Sequence, residues 1–118
     1  MAGGSVRTGG TVIPLICASA GLQGQAVRAH TVAGQCDIGA ADEDVIGVLV
    51  EDVVAGEVAS IGYSGLFDVL SGAAITAGDD LKINATGKWI LWVTAGERAG
   101  QALRAAAGAD ELIEAWVD

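Results

Sequence analysis

Short apolar runs separated by glycine-containing turns are the feature that most restricts the fold of this chain. Such runs, about four to eight residues long and rich in β-branched side chains, are typical of strands. They cover residues 12–18, 25–31, 45–50, 58–63, 66–70, 81–84 and 88–93. The pattern predicts a mainly β fold, namely a single small antiparallel β-barrel or β-sandwich-like domain.

A turn formula recurs between these runs, in which Ala-Gly is followed by a polar residue. Its glycines are Gly34, Gly56, Gly78 and Gly96, and a further turn is indicated at residues 84–87. Glycine tolerates the positive φ that tight turns require, and the polar residue keeps the turn in water. We therefore expect positive φ at these glycines, and no phosphate-binding loop.

Two secondary structures compete in the C-terminal stretch, residues 99–117. Apolar residues recur there at helical spacing, and alanine is the best helix former. However, Gly100 and Gly108 weaken a helix, and the stretch parallels residues 47–61, which are expected to form two strands. We favour strands, with one helical turn between Arg104 and Ala109.

The chain has 118 residues, which is enough for one compact core. Four glycines and few side chains that could be buried lie in the first ten residues. We expect residues 1–11 to form a flexible N-terminal arm and residues 12–118 to form the β-rich domain.

The charge balance and the distribution of apolar residues argue against several partners and locations. Six Lys and Arg residues against 15 Asp and Glu residues give a formal net charge of −9, which disfavours binding to nucleic acid. No apolar window approaches the ~18 residues of a membrane-spanning helix. Pro14 and a single preceding basic residue argue against a signal peptide. We expect a protein partner and a cytoplasmic location, or an assembly built in the cytoplasm.

Catalytic and metal chemistry are poorly represented in the sequence. His30 is the single histidine, and it has no acidic neighbour within six residues. Cys17 and Cys36 could form a disulfide or be two buried thiols, and the reduced form is favoured because no export signal is evident. The acidic clusters at residues 42–44 and 79–80 lack a calcium-loop pattern. We predict no catalytic, cofactor-binding or metal-binding residue, and no cofactor.

The three tryptophans, Trp89, Trp92 and Trp116, make up most of the aromatic content. Each is expected to anchor either the core or an interface. Trp89 and Trp92 differ by three positions, so in a regular strand they face opposite sides, and at most one lies in a core that covers one face of the sheet. At least one tryptophan is therefore expected at a subunit or partner contact.

The order of several strand and turn motifs resembles a known family. The segments that carry the resemblance are residues 24–27, 45–49, 55–61, 65–67, 75–81 and 99–103, and together they span most of residues 12–117. The chain is similar to the capsid decoration, or cement, proteins of tailed bacteriophages. The motifs belong to the scaffold, so the resemblance transfers no contact residue position by position.

The resemblance implies a non-enzymatic structural protein of the virion. Such a protein binds the outer surface of the phage head, contacts the major capsid protein as a homotrimer, and stabilises the expanded shell. It implies no direct contact with nucleic acid or membrane. In such families an N-terminal arm can order on binding, and deletion of residues 1–12 is expected to weaken shell binding while leaving the fold intact.

Candidates for a capsid or subunit interface are therefore chosen by residue chemistry, from the arm and from the tryptophans. They are Val6, Arg7, Thr11, Val12, Trp89, Trp92 and Trp116. The alternative function is a β-sandwich module that binds carbohydrate or another small ligand, for which exposed aromatic rings at Trp89 and Trp92 would be required. Enzymatic activity is the least favoured function, because the sequence has few residues that could act as a nucleophile or a base.

Overall fold

The computed structural model describes residues 10–41, 44–93 and 97–118, and within these ranges it contains ten strands and no helix. The strands are β1 (Thr11–Cys17), β2 (Ala26–Ala29), β3 (Gln35–Ile38), β4 (Gly47–Leu49), β5 (Val58–Tyr63), β6 (Gly65–Leu70), β7 (Asp80–Ile83), β8 (Trp89–Leu91), β9 (Gly100–Ala102) and β10 (Leu112–Val117). The predicted fold class, a small and mainly β domain with a barrel, is confirmed.

The first five strands close into a barrel in the order β1-β3-β2-β4-β5. All pairs are antiparallel except β1 with β3, where Cys17 is opposite Cys36. The β1–β5 pair is the longest in the barrel and runs from Thr11 opposite Tyr63 to Ile16 opposite Val58. Pro14 is tolerated in β1 because its side toward β3 is paired only from Ile16 onward, so no ladder bond needs its missing N–H.

The remaining strands form a second sheet in the order β6-β10-β9-β7-β8. The chain passes from the barrel to this sheet through Ser64 alone, whose φ of 52° lies in the left-handed region. β6 and β10 pair along six residues each, from Leu112 opposite Leu70 to Val117 opposite Gly65. The second sheet therefore continues directly from β5.

Alternation along the strands divides the core into two clusters. In β2 and β4, Val27 and Leu49 point into the barrel, whereas Ala26 and Val48 point out of it and contact the second sheet. Phe67 of β6 packs against Gly62 of β5, where an added Cβ would lie 2.5 Å from its ring. The outer side of β2, β4 and the end of β5 is thus covered by the second sheet.

Most of the predicted strands are confirmed, with ends that differ by a few residues. The run 58–63 coincides with β5, and β9 and β10 confirm the strand interpretation of the C-terminal stretch. β3 was not predicted. The helical turn between Arg104 and Ala109 is wrong, because Ala106 instead forms an antiparallel bridge with Ile75.

The turn prediction is confirmed at the described glycines. Gly34, Gly56 and Gly78 have φ values of 77°, 85° and 94°, and Gly87 has 75°. A Cβ at the first three would meet nothing within 4 Å, so backbone conformation and not space requires glycine there. Gly96 lies outside the described residues.

Candidate interaction surfaces

Trp89 is the largest fully buried side chain, and it joins the second sheet to the barrel. Its indole Nε1–H donates to the carbonyl oxygen of Gly24 at 3.0 Å, and its exposure is 0%. A buried indole whose N–H has a partner stabilises the core without a polar penalty. Trp89 therefore belongs to the core of the single chain, which removes it as an interface candidate.

Trp116 lies on the outer face of the second sheet. It is opposite Leu66 on β6 and Gln101 on β9, and it is 47% exposed. The neighbouring outer pair, Glu114 with Asp68, is acidic, and Arg104 Nε donates to Glu114 Oε1 at 2.7 Å. Trp116 is thus an exposed aromatic ring between Leu66 and Gln101, with an acidic pair beside it.

Trp92 follows β8 directly and is partly buried. Its backbone N–H donates to the Asp80 carbonyl oxygen at 2.8 Å, which extends the β7–β8 pairing by one residue. Leu91 and Val93 on either side of it are exposed. This end of β8 is a small apolar surface, and Trp92 stays an interface candidate.

An apolar row lies along the outer face of the barrel at β1. It consists of Val12, Pro14 and Ile16 of β1 together with Val58 of β5, all of which are exposed. Ile16 is opposite Val58 and Pro14 is opposite Ser60, so the four side chains share one face. We call this surface the β1 row. Neither β1 nor β5 contains a charged residue, although the chain has a net charge of −9.

The structure places the other candidates relative to this row. Thr11 starts β1, opposite Tyr63, and is exposed. Val12 belongs to the row itself. Val6 and Arg7 lie outside the described residues, as does the greater part of the predicted arm. β1 begins at Thr11, so Thr11 and Val12 are paired with β5.

Charged groups border the β1 row on the β3 side. Asp37 accepts a hydrogen bond from Ser19 Oγ at 2.7 Å and another from the backbone N–H of Ile38 at 2.8 Å. The Ser19 bond, followed by the Ile38 bond and the nearby Arg28, holds the pKa of Asp37 below its usual value against the opposing effect of burial. Arg28 lies 3.8 Å from Asp37. The change from apolar to charged surface defines the limit of the row.

The ends of the second sheet are tied by an ion-pair cluster. Arg98 Nε donates to Asp80 at 3.0 Å and its Nη1 to Asp118 at 2.5 Å. The hydrogen bond that Arg98 donates to Asp80, together with the one it donates to Asp118, raises the pKa of Arg98 despite some desolvation. Because these groups are partly exposed, the cluster orders the chain end more than it stabilises the fold.

A groove of about 440 Å³ is lined by Leu22, Gln25, Val53 and Lys88 among others. Its polar groups already have partners: Gln25 Nε2 donates to the Thr86 carbonyl at 2.8 Å, and Lys88 Nζ to Asp110 at 2.6 Å.

Because Trp89 is buried, it cannot form an exposed platform together with Trp92. The arrangement expected of a carbohydrate-binding module is therefore wrong for this pair.

Among the described residues, no group of three or more His, Cys, Asp or Glu side chains could hold a metal ion. His30 Nδ1 accepts a hydrogen bond from the backbone N–H of Val32 at 3.0 Å, which gives it a role in the turn between β2 and β3. The same part of the chain contains no helix that could cross a membrane.

Comparison with known proteins relates this scaffold to phage heads. The sequence matches the family described as phage cement protein over residues 6–117. No curated protein matches it. The fold is similar to that of a solved structure described as the head fiber gp8.5 N base in bacteriophage phi29, with a TM-score of 0.75, 16% identity, and coverage of 92% of this chain and 93% of that one. The family match spans nearly the whole described fold, so the chain belongs to the phage cement protein family.

Proposed function

We propose that this protein binds the outer surface of a phage head and stabilises the expanded shell as a non-enzymatic virion component. Family membership establishes a capsid-associated structural class. A protein that binds the expanded lattice and not its precursor stabilises that lattice in proportion to occupancy and affinity. The role therefore needs a binding surface and no reacting group.

The observation that carries the proposal is the β1 row. Val12, Pro14, Ile16 and Val58 form an exposed apolar surface on two strands without charge. An exposed apolar patch on a highly charged protein is a typical protein–protein contact site. We assign this surface to the contact with the major capsid protein, because removing it from water requires no charged group to be desolvated.

The second apolar surface, around Trp92 and Val93, is separate from the β1 row and lies on the other sheet. We assign it to the contact between copies in a homotrimer. Trp116 stays a candidate for either contact. Assembly of the protein in the host cytoplasm before it reaches the shell is part of the same proposal.

Two matched substitutions separate the capsid contact from the contact between copies. Val58→Lys and Val93→Lys change the same residue type at nearly equal exposure, 65% and 63%, on different sheets. Binding of each variant to undecorated expanded heads is measured by co-sedimentation. We expect Val58→Lys to weaken binding about tenfold or more because it places a charge within an apolar contact.

Val93→Lys is expected to leave the capsid surface intact and to reduce the mass measured by light scattering. Equal binding of Val58→Lys and the unmodified protein would contradict the assignment of the β1 row. Loss of binding by Val93→Lys without a change in mass would move the capsid contact to the Trp92 side. Trp92→Ala and Trp116→Ala then test the two remaining rings in the same assays.

A further inference from the structure

One end of the barrel is formed by two loops, residues 18–25 between β1 and β2 and residues 50–57 between β4 and β5. Gly21 and Val53 join the loops by an antiparallel bridge, with N–H to carbonyl oxygen distances of 3.0 and 2.9 Å. Asp52 Oδ1 also accepts a hydrogen bond from a backbone N–H of the first loop at 2.7 Å. The two loops therefore form one surface, which we call the loop end.

The charges of the loop end are all negative. Its charged residues are Glu51, Asp52 and Glu57, which are exposed and take part in no ion pair with another residue that the structure describes. Four cations outside the loop end each pair with a carboxylate outside it, namely Arg28, Lys88, Arg98 and Arg104. The loop end therefore presents negative charge that these cations do not neutralise.

The loop end also contains an apolar entrance. The groove of about 440 Å³ is lined on this side by Leu22 and Val53, and its opposite wall includes Lys88, which pairs with Asp110 at 2.6 Å. Leu22 and Val54 are 53% and 63% exposed. Because the polar groups of the groove already have partners, an apolar side chain can enter it without leaving one of them unpaired.

The loop end adjoins the β1 row at Glu57. The Glu57 carbonyl accepts a hydrogen bond from the Cys17 N–H at 2.9 Å, which extends the β1–β5 pairing by one residue beyond Ile16 opposite Val58. Val58 belongs to the row and Glu57 to the loop end. The two surfaces are therefore contiguous, and the surface changes from apolar to acidic at this point.

The charge of the loop end restricts what can cover it. A second copy of the chain has the same net charge of −9, so like charges oppose its approach. A protein surface that carries Lys or Arg side chains is instead attracted to it. We propose that the loop end binds a segment of the major capsid protein that inserts an apolar side chain into the groove and places Lys or Arg side chains opposite Glu51, Asp52 and Glu57. The identity of this partner rests on the proposed function.

A pair of charge reversals tests the acidic part of this surface. Glu57→Lys is compared with Glu97→Lys, because both glutamates are exposed and neither takes part in an ion pair with another described residue. Binding to undecorated expanded heads is measured by co-sedimentation. We expect Glu57→Lys to weaken binding about tenfold through repulsion of the basic segment, and Glu97→Lys to bind as the unmodified protein does. Raising the ionic strength should weaken binding of the unmodified protein more than that of Glu57→Lys.

A pair of leucine substitutions tests the groove in the same assay. Leu22→Ser is compared with Leu103→Ser, a position that follows β9 on the second sheet and has nearly the same exposure, 49% against 53%. We expect Leu22→Ser to weaken binding about fivefold because it removes part of the apolar wall, and Leu103→Ser to have no effect. Thermal unfolding of all four variants should match that of the unmodified protein, because the substituted side chains are exposed.

The outcomes separate this inference from the proposed function. Equal binding of Glu57→Lys and Glu97→Lys, or of Leu22→Ser and Leu103→Ser, would overturn the inference while the unmodified protein still binds expanded heads. Equal dependence on ionic strength in Glu57→Lys and the unmodified protein would also overturn it. Failure of the unmodified protein to bind expanded heads would contradict the proposed function itself, and this inference with it.

Discussion

Cys17 and Cys36 lie opposite each other on the parallel strands β1 and β3, and both side chains are fully buried inside the barrel as free thiols. Burial, followed by the charge and hydrogen bond of Cys17, raises the pKa of Cys36 to about 12. The pair is a closely packed part of the barrel core.

We predict that neither thiol of the folded protein reacts with a thiol-specific reagent at pH 8. Both side chains are fully buried, so a reagent in solution does not reach them. The thiolate is the reactive form, and burial disfavours it at Cys36. Reaction with an aromatic disulfide reagent, followed by absorbance, should show two thiols only after addition of denaturant. Rapid reaction of either thiol under native conditions would show that the barrel opens at the β1–β3 pair.

The raised pKa of Cys36 also predicts a dependence of stability on pH. An unfolded thiol ionises near its ordinary pKa of 9.0, whereas the folded one stays protonated to about pH 12. The contribution to the free energy of unfolding is therefore complete below pH 9 and is lost between pH 9 and pH 12. Urea unfolding across this range should show a steeper loss for the unmodified protein than for Cys36→Ala. Equal slopes would mean that Cys36 titrates normally in the fold.

Trp89 and Trp116 should differ strongly in their effect on stability. Trp89→Ala removes the central ring of the core and its bond to Gly24, and should cost about 3–5 kcal/mol. Trp116→Ala, at a half-exposed position, should cost about 1 kcal/mol or less. Thermal unfolding of both variants measures the difference, and similar losses would contradict the division into core and surface.

Two glycines should respond to alanine for different reasons. Gly56→Ala forces a left-handed backbone on a residue with open space around it, at a cost of about 1–2 kcal/mol. Gly100→Ala should cost more, because its Cβ would lie 2.2 Å from the Trp116 carbonyl oxygen in β10. Chemical denaturation provides both values, and a neutral Gly100→Ala would show that β9 and β10 can separate without cost.

The strands that the sequence predicts correctly are those in which the residue pattern matches the burial observed in the fold. β5 was predicted with its observed bounds because its run is uninterrupted between two turns. β3 was missed because Gln35 and Asp37 point outward and leave a short polar-looking segment after the Gly34 turn. The helical turn was predicted from alanine propensity, but the long-range bridge between Ala106 and Ile75 overrides this local preference.

The candidate surface was less accessible to sequence reasoning. Every residue of β1 after Thr11 is apolar, so the sequence could not separate Ile13 and Leu15, which pack in the barrel, from Val12 and Ile16, which are exposed. Only pairing with β5 and closure of the barrel decide the two faces. The register likewise decides that Trp89 is internal and Trp116 external.

Co-sedimentation of the purified protein with undecorated heads of its source phage, in unexpanded and expanded forms, tests the central claim most directly. The account predicts saturable binding to expanded heads, weaker binding to unexpanded ones, and greater resistance of decorated expanded heads to heat. Absence of binding to both forms, or binding without any gain in heat resistance, would contradict the stabilising role.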